Sequence, residues 1–374
     1  FWLKLVARVF VVSAPAPPCS QCKPACMRVG LARAVEGASV RRSFRHFAGV
    51  GCQWKLPAMP TVPCLKLADG AAMPQIGFGL YLIPRADTAA AVQEALAVGY
   101  RHFDSASFYD NEAESGAALR TWLAEGHDRS ELFVTTKVWT TDLTDVDSAV
   151  RSAKISIDEL GLGFVDLLMV HWPVPGKHVE CYKALESFVK SGKAKALGVS
   201  NYSPQDYEEL AKVAEIPPAV NTFEINPLLF RKEWVDFFQA KGVVLQAYKP
   251  LQRGGKALSM DAVSLTSSRL EKSAAQVCIR WLVQKGVAVL VKSSKPERMA
   301  ENLAVFDFEL TPEDVTALDS LTTEEAIQTA FGHYEKRRNG TPAPWGDGPR
   351  PQKRAVVMPD ADAPEEKRQK GGEA

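Results

Sequence analysis

Long apolar runs are missing from this chain of 374 residues: none reaches the ~18 residues that a membrane-spanning helix needs. Cysteine is sparse and unpaired in number. There are seven, and only Cys64, Cys181 and Cys278 fall between residues 61 and 320. That excludes a disulfide framework and fits a reducing compartment. No excess of one charge exists either: 45 Lys and Arg face 44 Asp and Glu, which argues against wholesale nucleic-acid binding. Several nucleotide and metal signatures are also absent. Gly77-Phe78-Gly79 continues as Leu80-Tyr81-Leu82, so the Gly-x-Gly-x-x-Gly fingerprint fails. No Gly-Lys pair precedes Ser or Thr, no His-Glu-x-x-His occurs, and no Tyr is followed by Lys four positions later.

What is present is a body able to fold between two unlike ends. Apolar residues make up 46% and charged residues 24%, enough for a sizeable core. Residues 1–60 carry nine Lys and Arg against the single acid Glu36, whereas residues 61–320 carry 27 basic against 34 acidic. The head reads as a disordered or targeting extension of a cytoplasmic protein, with organellar import as the alternative, since its acid-poor, Arg- and Ser-containing composition resembles a transit peptide. Cys19, Cys22, Cys26 and His46 fit no trusted metal spacing, and disorder is the favoured reading. Residues 322–374 read as a low-complexity charged tail, Pro- and Gly-rich over 342–351.

Between these ends, short apolar or β-branched runs alternate with amphipathic stretches. Strands are expected at 75–79, 102–106, 132–138, 165–171, 196–200, 220–225, 243–248 and 287–292. Helices are expected near 88–98, 112–125, 145–160, 178–191, 204–214, 231–241, 270–285 and 296–304. The runs at 132–138 and 165–171 are almost continuously apolar, the pattern of parallel strands covered on both sides. Eight βα units in ~230 residues imply a closed (β/α)₈ TIM barrel, here an α/β domain over 61–321. Residues 62–67, the turn Asp69-Gly70 and residues 71–73 predict a hairpin that plugs the barrel's N-terminal end.

Such a barrel places its chemistry where strands end. The second strand ends in Asp104, with Tyr109 just beyond; the third ends in Lys137-Val138-Trp139; the fourth ends in His171-Trp172. A Lys on so apolar a strand requires a partner, and Asp104 on the neighbouring strand supplies one. A phenol beside that ammonium is expected to have its pKa pulled from ~10 toward neutrality. A nearby imidazole can orient a carbonyl oxygen. The set suits reversible carbonyl–alcohol chemistry and contains no strong nucleophile.

At these residues the chain resembles an aldo-keto reductase, from roughly residue 61 to 321. The resemblance rests on Met73-Pro74-Gln75-Ile76-Gly77-Phe78-Gly79, Gly99-Tyr100-Arg101-His102-Phe103-Asp104-Ser105-Ala106, Tyr109-Asp110-Asn111-Glu112, Thr136-Lys137-Val138-Trp139, Leu168-Met169-Val170-His171-Trp172-Pro173 and Gly198-Val199-Ser200-Asn201-Tyr202. Lys292-Ser293, followed by Arg298, Glu301 and Asn302, completes it. It implies a catalytic set of Asp104, Tyr109, Lys137 and His171, with Tyr109 as general acid and base. It also implies NADPH held without a Rossmann domain: Ser200, Asn201 and Thr222 toward the carboxamide, Tyr248 stacked on the nicotinamide, Lys292, Ser293 and Arg298 around the 2′-phosphate, and Glu301 and Asn302 toward the adenine. Tyr81, Trp139 and Trp172, together with His171, match substrate-lining positions.

The sequence departs from the family pattern in places. Thr222 stands where a glutamine is usual, Lys249 follows Tyr248 where Ser is usual, and Val291 replaces a proline. Lys249 either reaches the cofactor pyrophosphate or points to solvent. The expected partner is a small carbonyl compound, with no nucleic acid, no membrane and a monomeric state. The alternative is a catalytically weak, NADPH-binding regulatory barrel.

Overall fold

In the computed structural model, the structure describes residues 62–338, position 69 excepted. The head with Cys19, Cys22, Cys26 and His46, and the segment beyond 338, lie outside the described residues.

The chain enters through a short antiparallel pair, β1 (Cys64–Lys66) and β2 (Ala72–Pro74), in which Leu65 pairs with Met73. Leu67 and Met73 are buried there against Phe133, Leu167 and Met169, so the hairpin closes the floor of the barrel. Eight parallel strands follow: β3 (Ile76–Gly79), β4 (His102–Asp104), β5 (Phe133–Val138), β6 (Val165–Val170), β7 (Ala194–Ser200), β8 (Val220–Glu224), β9 (Val244–Tyr248) and β10 (Ala288–Val291). They pair in chain order, and β10 returns to β3 to close the barrel. Every residue of β5 and β6 is buried, as expected for strands covered by helices without and filled by side chains within.

The helices between the strands begin and end on local signals. α1 (Arg85–Val98) stops at Gly99, whose φ of 120° is open chiefly to glycine and whose N–H returns to Ala95 and Leu96. α2 (Glu112–Ala124) carries Gly116 against α3 (Val146–Leu160), and a Cβ at that position would stand 2.3 Å from the Leu160 carbonyl oxygen. α4 (His178–Lys190) precedes β7, and α5 (Pro204–Ala211) follows it with the Ser203–Asp206 capping box and Pro204 in the first turn. α6 (Lys232–Ala240) lies between β8 and β9.

The structure adds helices the sequence does not announce. α7 (Asp261–Leu270) precedes α8 (Ala274–Gln284), so the span expected at 270–285 begins four residues later, at the Ser273 cap. α7 is rich in Ser and Thr, which weakens its helical pattern. After α9 (Pro296–Leu303) come α10 (Pro312–Asp319) and α11 (Glu324–Arg338). α11 corrects the reading of 322–374 as a featureless charged tail, at least to residue 338. Its driving force is aromatic. Tyr334 is buried, its hydroxyl donates to Asp206, and its ring meets Trp172 and Trp234, each with centroids 6.0 Å away. Thr322 anchors the approach: Phe230 N–H donates to its hydroxyl at 2.8 Å, and that hydroxyl donates to the Pro227 carbonyl. No helix among the described residues is long and apolar enough to cross a membrane.

Candidate active site

The loops at the C-terminal ends of the barrel strands enclose one continuous cleft of about 1250 Å³. These loops hold unusual backbone. Leu82, Asp110, Asn201, Lys249, Gln252 and Arg253 all adopt positive φ, and Glu271 is the one other non-glycine residue among those described to do so. Strained backbone of this kind clusters where surrounding structure must aim side chains.

The deepest part of the cleft is built on β4 and β5. Asp104 pairs in register with Thr135, which brings its side chain beside that of Lys137, two residues further along β5. Lys137 Nζ donates to Asp104 Oδ1 at 2.6 Å and to the Ser105 carbonyl at 2.7 Å. It also donates to the Tyr109 hydroxyl at 3.3 Å. Lys137 is only 2% exposed, so this ammonium lies beneath the cleft with the phenol above it. A short helical turn, Ser107–Tyr109, swings Tyr109 over the strand ends.

Burial pushes the Tyr109 pKa well above the ordinary phenol value, and Asp104 adds to the rise. This corrects the sequence expectation of a phenol drawn toward neutrality. The Lys137 charge is balanced by Asp104 at closer range than the phenol, leaving little net positive field at Tyr109. Burial also lowers the Lys137 pKa, which Asp104 partly restores. The phenol therefore holds its proton throughout the physiological range.

His171 and Trp139 complete this end. The His171 ring meets Tyr109 edge-on with centroids 5.8 Å apart, and Trp139 at 4.8 Å. Phe108 stacks on Trp139 at 3.9 Å, while Tyr81 leans on Tyr109 at 5.1 Å. Tyr248 stands across the cleft and donates to Asn201 Oδ1 at 2.8 Å. Asn201 Nδ2 in turn donates to the His171 carbonyl at 3.0 Å.

The cleft runs on to a cationic end. Lys292, Ser293, Arg298, Glu301 and Asn302 line it, as does Arg253, which the sequence reading missed. Lys292 Nζ donates to the Tyr81 carbonyl at 2.9 Å. Burial and the charge of Arg253 lower the Lys292 pKa. Three cations, Arg253, Lys292 and Arg298, against the single acid Glu301 give this end of the cleft the character of an anion-binding surface.

Of the residues singled out from sequence, Lys137, Ser200 and Thr222 do not line the cleft. Ser200 and Thr222 lie under its floor. Ser200 Oγ donates to the Thr222 carbonyl and accepts from Asn201 Nδ2, both at 2.9 Å. Thr222 Oγ1 turns into the barrel and donates to Gln246 Oε1 at 2.7 Å. Gln246 continues to His102 Nε2 at 3.2 Å, and His102 Nδ1 reaches the Pro74 carbonyl at 2.9 Å. The side chain expected to contact a carboxamide is thus a link in a buried polar chain running from Asn201 to the plug. Lys249 does not point to solvent; it pairs with Glu224 at 2.9 Å.

Missed from sequence besides Arg253 were Arg231, His333 and Tyr334, which all line the cleft. A signal for the last two existed in Ile327, Phe331 and Tyr334, spaced four and three apart as on one helix face.

The Aldo/keto reductase family model matches residues 75–323. The chain belongs to that family. It is 37% identical over 264 residues to the glyoxal reductase of Bacillus subtilis, covering 70% of this chain and 94% of that one. It is 38% identical over 267 residues to an aldo-keto reductase of Mycolicibacterium smegmatis, covering 71% and 95%. Among solved structures, an aldo-keto reductase complexed with NADPH is 32% identical with a TM-score of 0.67, covering 70% of this chain and 88% of that one. An aldo/keto reductase from Brucella melitensis is 35% identical with a TM-score of 0.66, covering 70% and 100%.

Proposed function

We propose that this aldo-keto reductase reduces an aldehyde or ketone to the alcohol using NADPH, with Tyr109 as the proton donor. The observation that carries the reading is the placement of the Tyr109 hydroxyl over a buried ammonium–carboxylate pair, in the deep part of a cleft whose other end is cationic.

The residues present fit the cofactor. Lys292 and Arg253 repel each other at one end, which Arg298 also lines, and a phosphate-bearing ligand relieves that repulsion. Tyr248 and Asn201 stand at the other end, positioned to hold a flat aromatic carboxamide. When bound, NADPH supplies hydride to the carbonyl carbon. Tyr109 gives its proton to the carbonyl oxygen; burial raises its pKa and makes it a weaker acid, so the transfer depends on stabilisation of the phenolate left behind. Lys137 hydrogen-bonds the phenol oxygen and stabilises the phenolate as it forms, while Asp104 keeps Lys137 charged. His171 orients the carbonyl oxygen by a hydrogen bond. Trp139, Trp172, Phe108 and Tyr81 exclude water and pack the substrate's apolar part. The NADPH-bound structure neighbour and the glyoxal reductase relative support both the cofactor and a carbonyl substrate.

The test is NADPH consumption with a panel of aromatic, aliphatic and sugar aldehydes, repeated with NADH. Turnover with NADPH and reduced turnover with NADH support the reading. Tight NADPH binding without oxidation by any carbonyl refutes it in favour of a regulatory barrel.

A further inference from the structure

Arg231 follows β8 at the entry to α6, and its guanidinium lies among aromatics. Its Cζ is 4.1 Å from the Trp234 ring centroid and 5.2 Å from that of Phe223. Among the described residues it makes one hydrogen bond, from Nη2 to the Glu224 carbonyl at 3.2 Å. Its Nε is buried and has no acceptor. The Glu224 carboxylate, the acid whose charge Arg231 feels, is engaged by Lys249 at 2.9 Å. A guanidinium withdrawn from water without an anion is costly, and arginine cannot shed its proton to escape that cost. Arg231 opens onto the cleft. A guanidinium with one hydrogen bond made and donors to spare, on an aromatic bed beside a substrate cleft, matches a planar carboxylate.

We propose that Arg231 is a specificity residue that binds a carboxylate carried by the carbonyl substrate at a distance from its carbonyl carbon. This rests on the reductase reading of the same cleft. The separation follows from the barrel. In the closed order of strands, β8 lies four strands from β4, on the opposite side of the mouth. Arg231 and Tyr109 therefore approach from opposite walls. A substrate that meets both must carry its carboxylate away from the carbonyl, as para-formylbenzoate does and glyoxylate does not. The cations Arg253, Lys292 and Arg298 belong to a different part of the mouth, on the loops after β9 and β10 and on α9.

The experiment compares para-formylbenzoate with its methyl ester, and includes glyoxylate, in the full chain and in Arg231→Gln and Arg231→Lys. The protein is expected to favour the carboxylate over the ester by about tenfold in kcat/KM, the size of one hydrogen bond to a charged group. Arg231→Gln should bring that ratio to near one, Arg231→Lys should restore part of it, and glyoxylate should gain nothing from Arg231. Binding of the same two aldehydes is followed separately by tryptophan fluorescence, since Trp234 lies under the guanidinium. This reading survives even where turnover is absent. Equal binding and equal kcat/KM for acid and ester overturn the proposal. So does an Arg231→Gln variant whose NADPH affinity falls as far as its acid-to-ester ratio, because Arg231 would then serve the cofactor. Tighter, Arg231-dependent binding of the acid without reduction of either aldehyde supports the subsite and overturns the reductase reading alone.

Discussion

Asp104→Asn separates the two tasks of the buried pair. In the native site Lys137 Nζ has Asp104 Oδ1 at 2.6 Å and the Ser105 carbonyl at 2.7 Å, and both charged side chains are almost fully buried. Removing the charge of one partner of such a pair costs about 3–5 kcal/mol, because the remaining buried ammonium has neutral acceptors and no anion. In a chain of this size each kcal/mol moves Tm by about 2–4 °C, so the variant should melt roughly 6–20 °C lower. Lys137 escapes part of that penalty by losing its proton, which burial already loosens. That escape removes the cation that supports the Tyr109 phenolate, so kcat should fall by about 10²-fold or more. The double variant Asp104→Asn, Lys137→Met removes the stranded charge. It should regain much of the lost stability and none of the activity. Thermal melts and NADPH-consumption rates on the three proteins read both effects. An Asp104→Asn protein that melts and turns over like the native one would refute the reasoning, as would a double variant less stable than the single.

Two further outcomes follow from the same geometry. Lys292→Met, Arg298→Met and Arg253→Met should each weaken NADPH far more than NADH, because only NADPH carries the 2′-phosphate; fluorescence titration with both cofactors checks this, and equal losses would remove those residues from that role. His102 is buried inside the barrel with its pKa lowered by burial, so the folded state keeps it neutral while the unfolded chain protonates it below about pH 6.5. The unfolded state then binds the extra proton, stability is full above that pH, and it declines as pH falls through it. His102→Gln should flatten this acid slope in melts between roughly pH 8 and pH 5.

Much of the barrel is legible in sequence because parallel strands buried on both faces must be apolar throughout, as in β5 and β6. Asp104, Tyr109, Lys137 and His171 stand out for the complementary reason: they are polar residues at the ends of those apolar runs. The remainder depends on distances that no spacing encodes. α11 is a charged segment held chiefly by Tyr334, and without its receptors Trp172, Trp234 and Asp206 its sequence resembles tail. The direction of the Tyr109 pKa turns first on how deeply the phenol is buried and then on the nearby Asp104 charge, and no spacing shows either. Thr222 faces inward because Gln246, on the neighbouring strand, offers an acceptor. Arg231 reads as an ordinary helix-entry cation until Glu224 is seen to be taken by Lys249.

The most direct test of the account is Tyr109→Phe. NADPH binding, followed by protein fluorescence, should stay within about threefold of native, since the hydroxyl contributes at most a hydrogen bond or less to cofactor affinity. Reduction of an aldehyde in a single turnover should be lost. Retained reduction in that variant would contradict the claim that the proton comes from Tyr109.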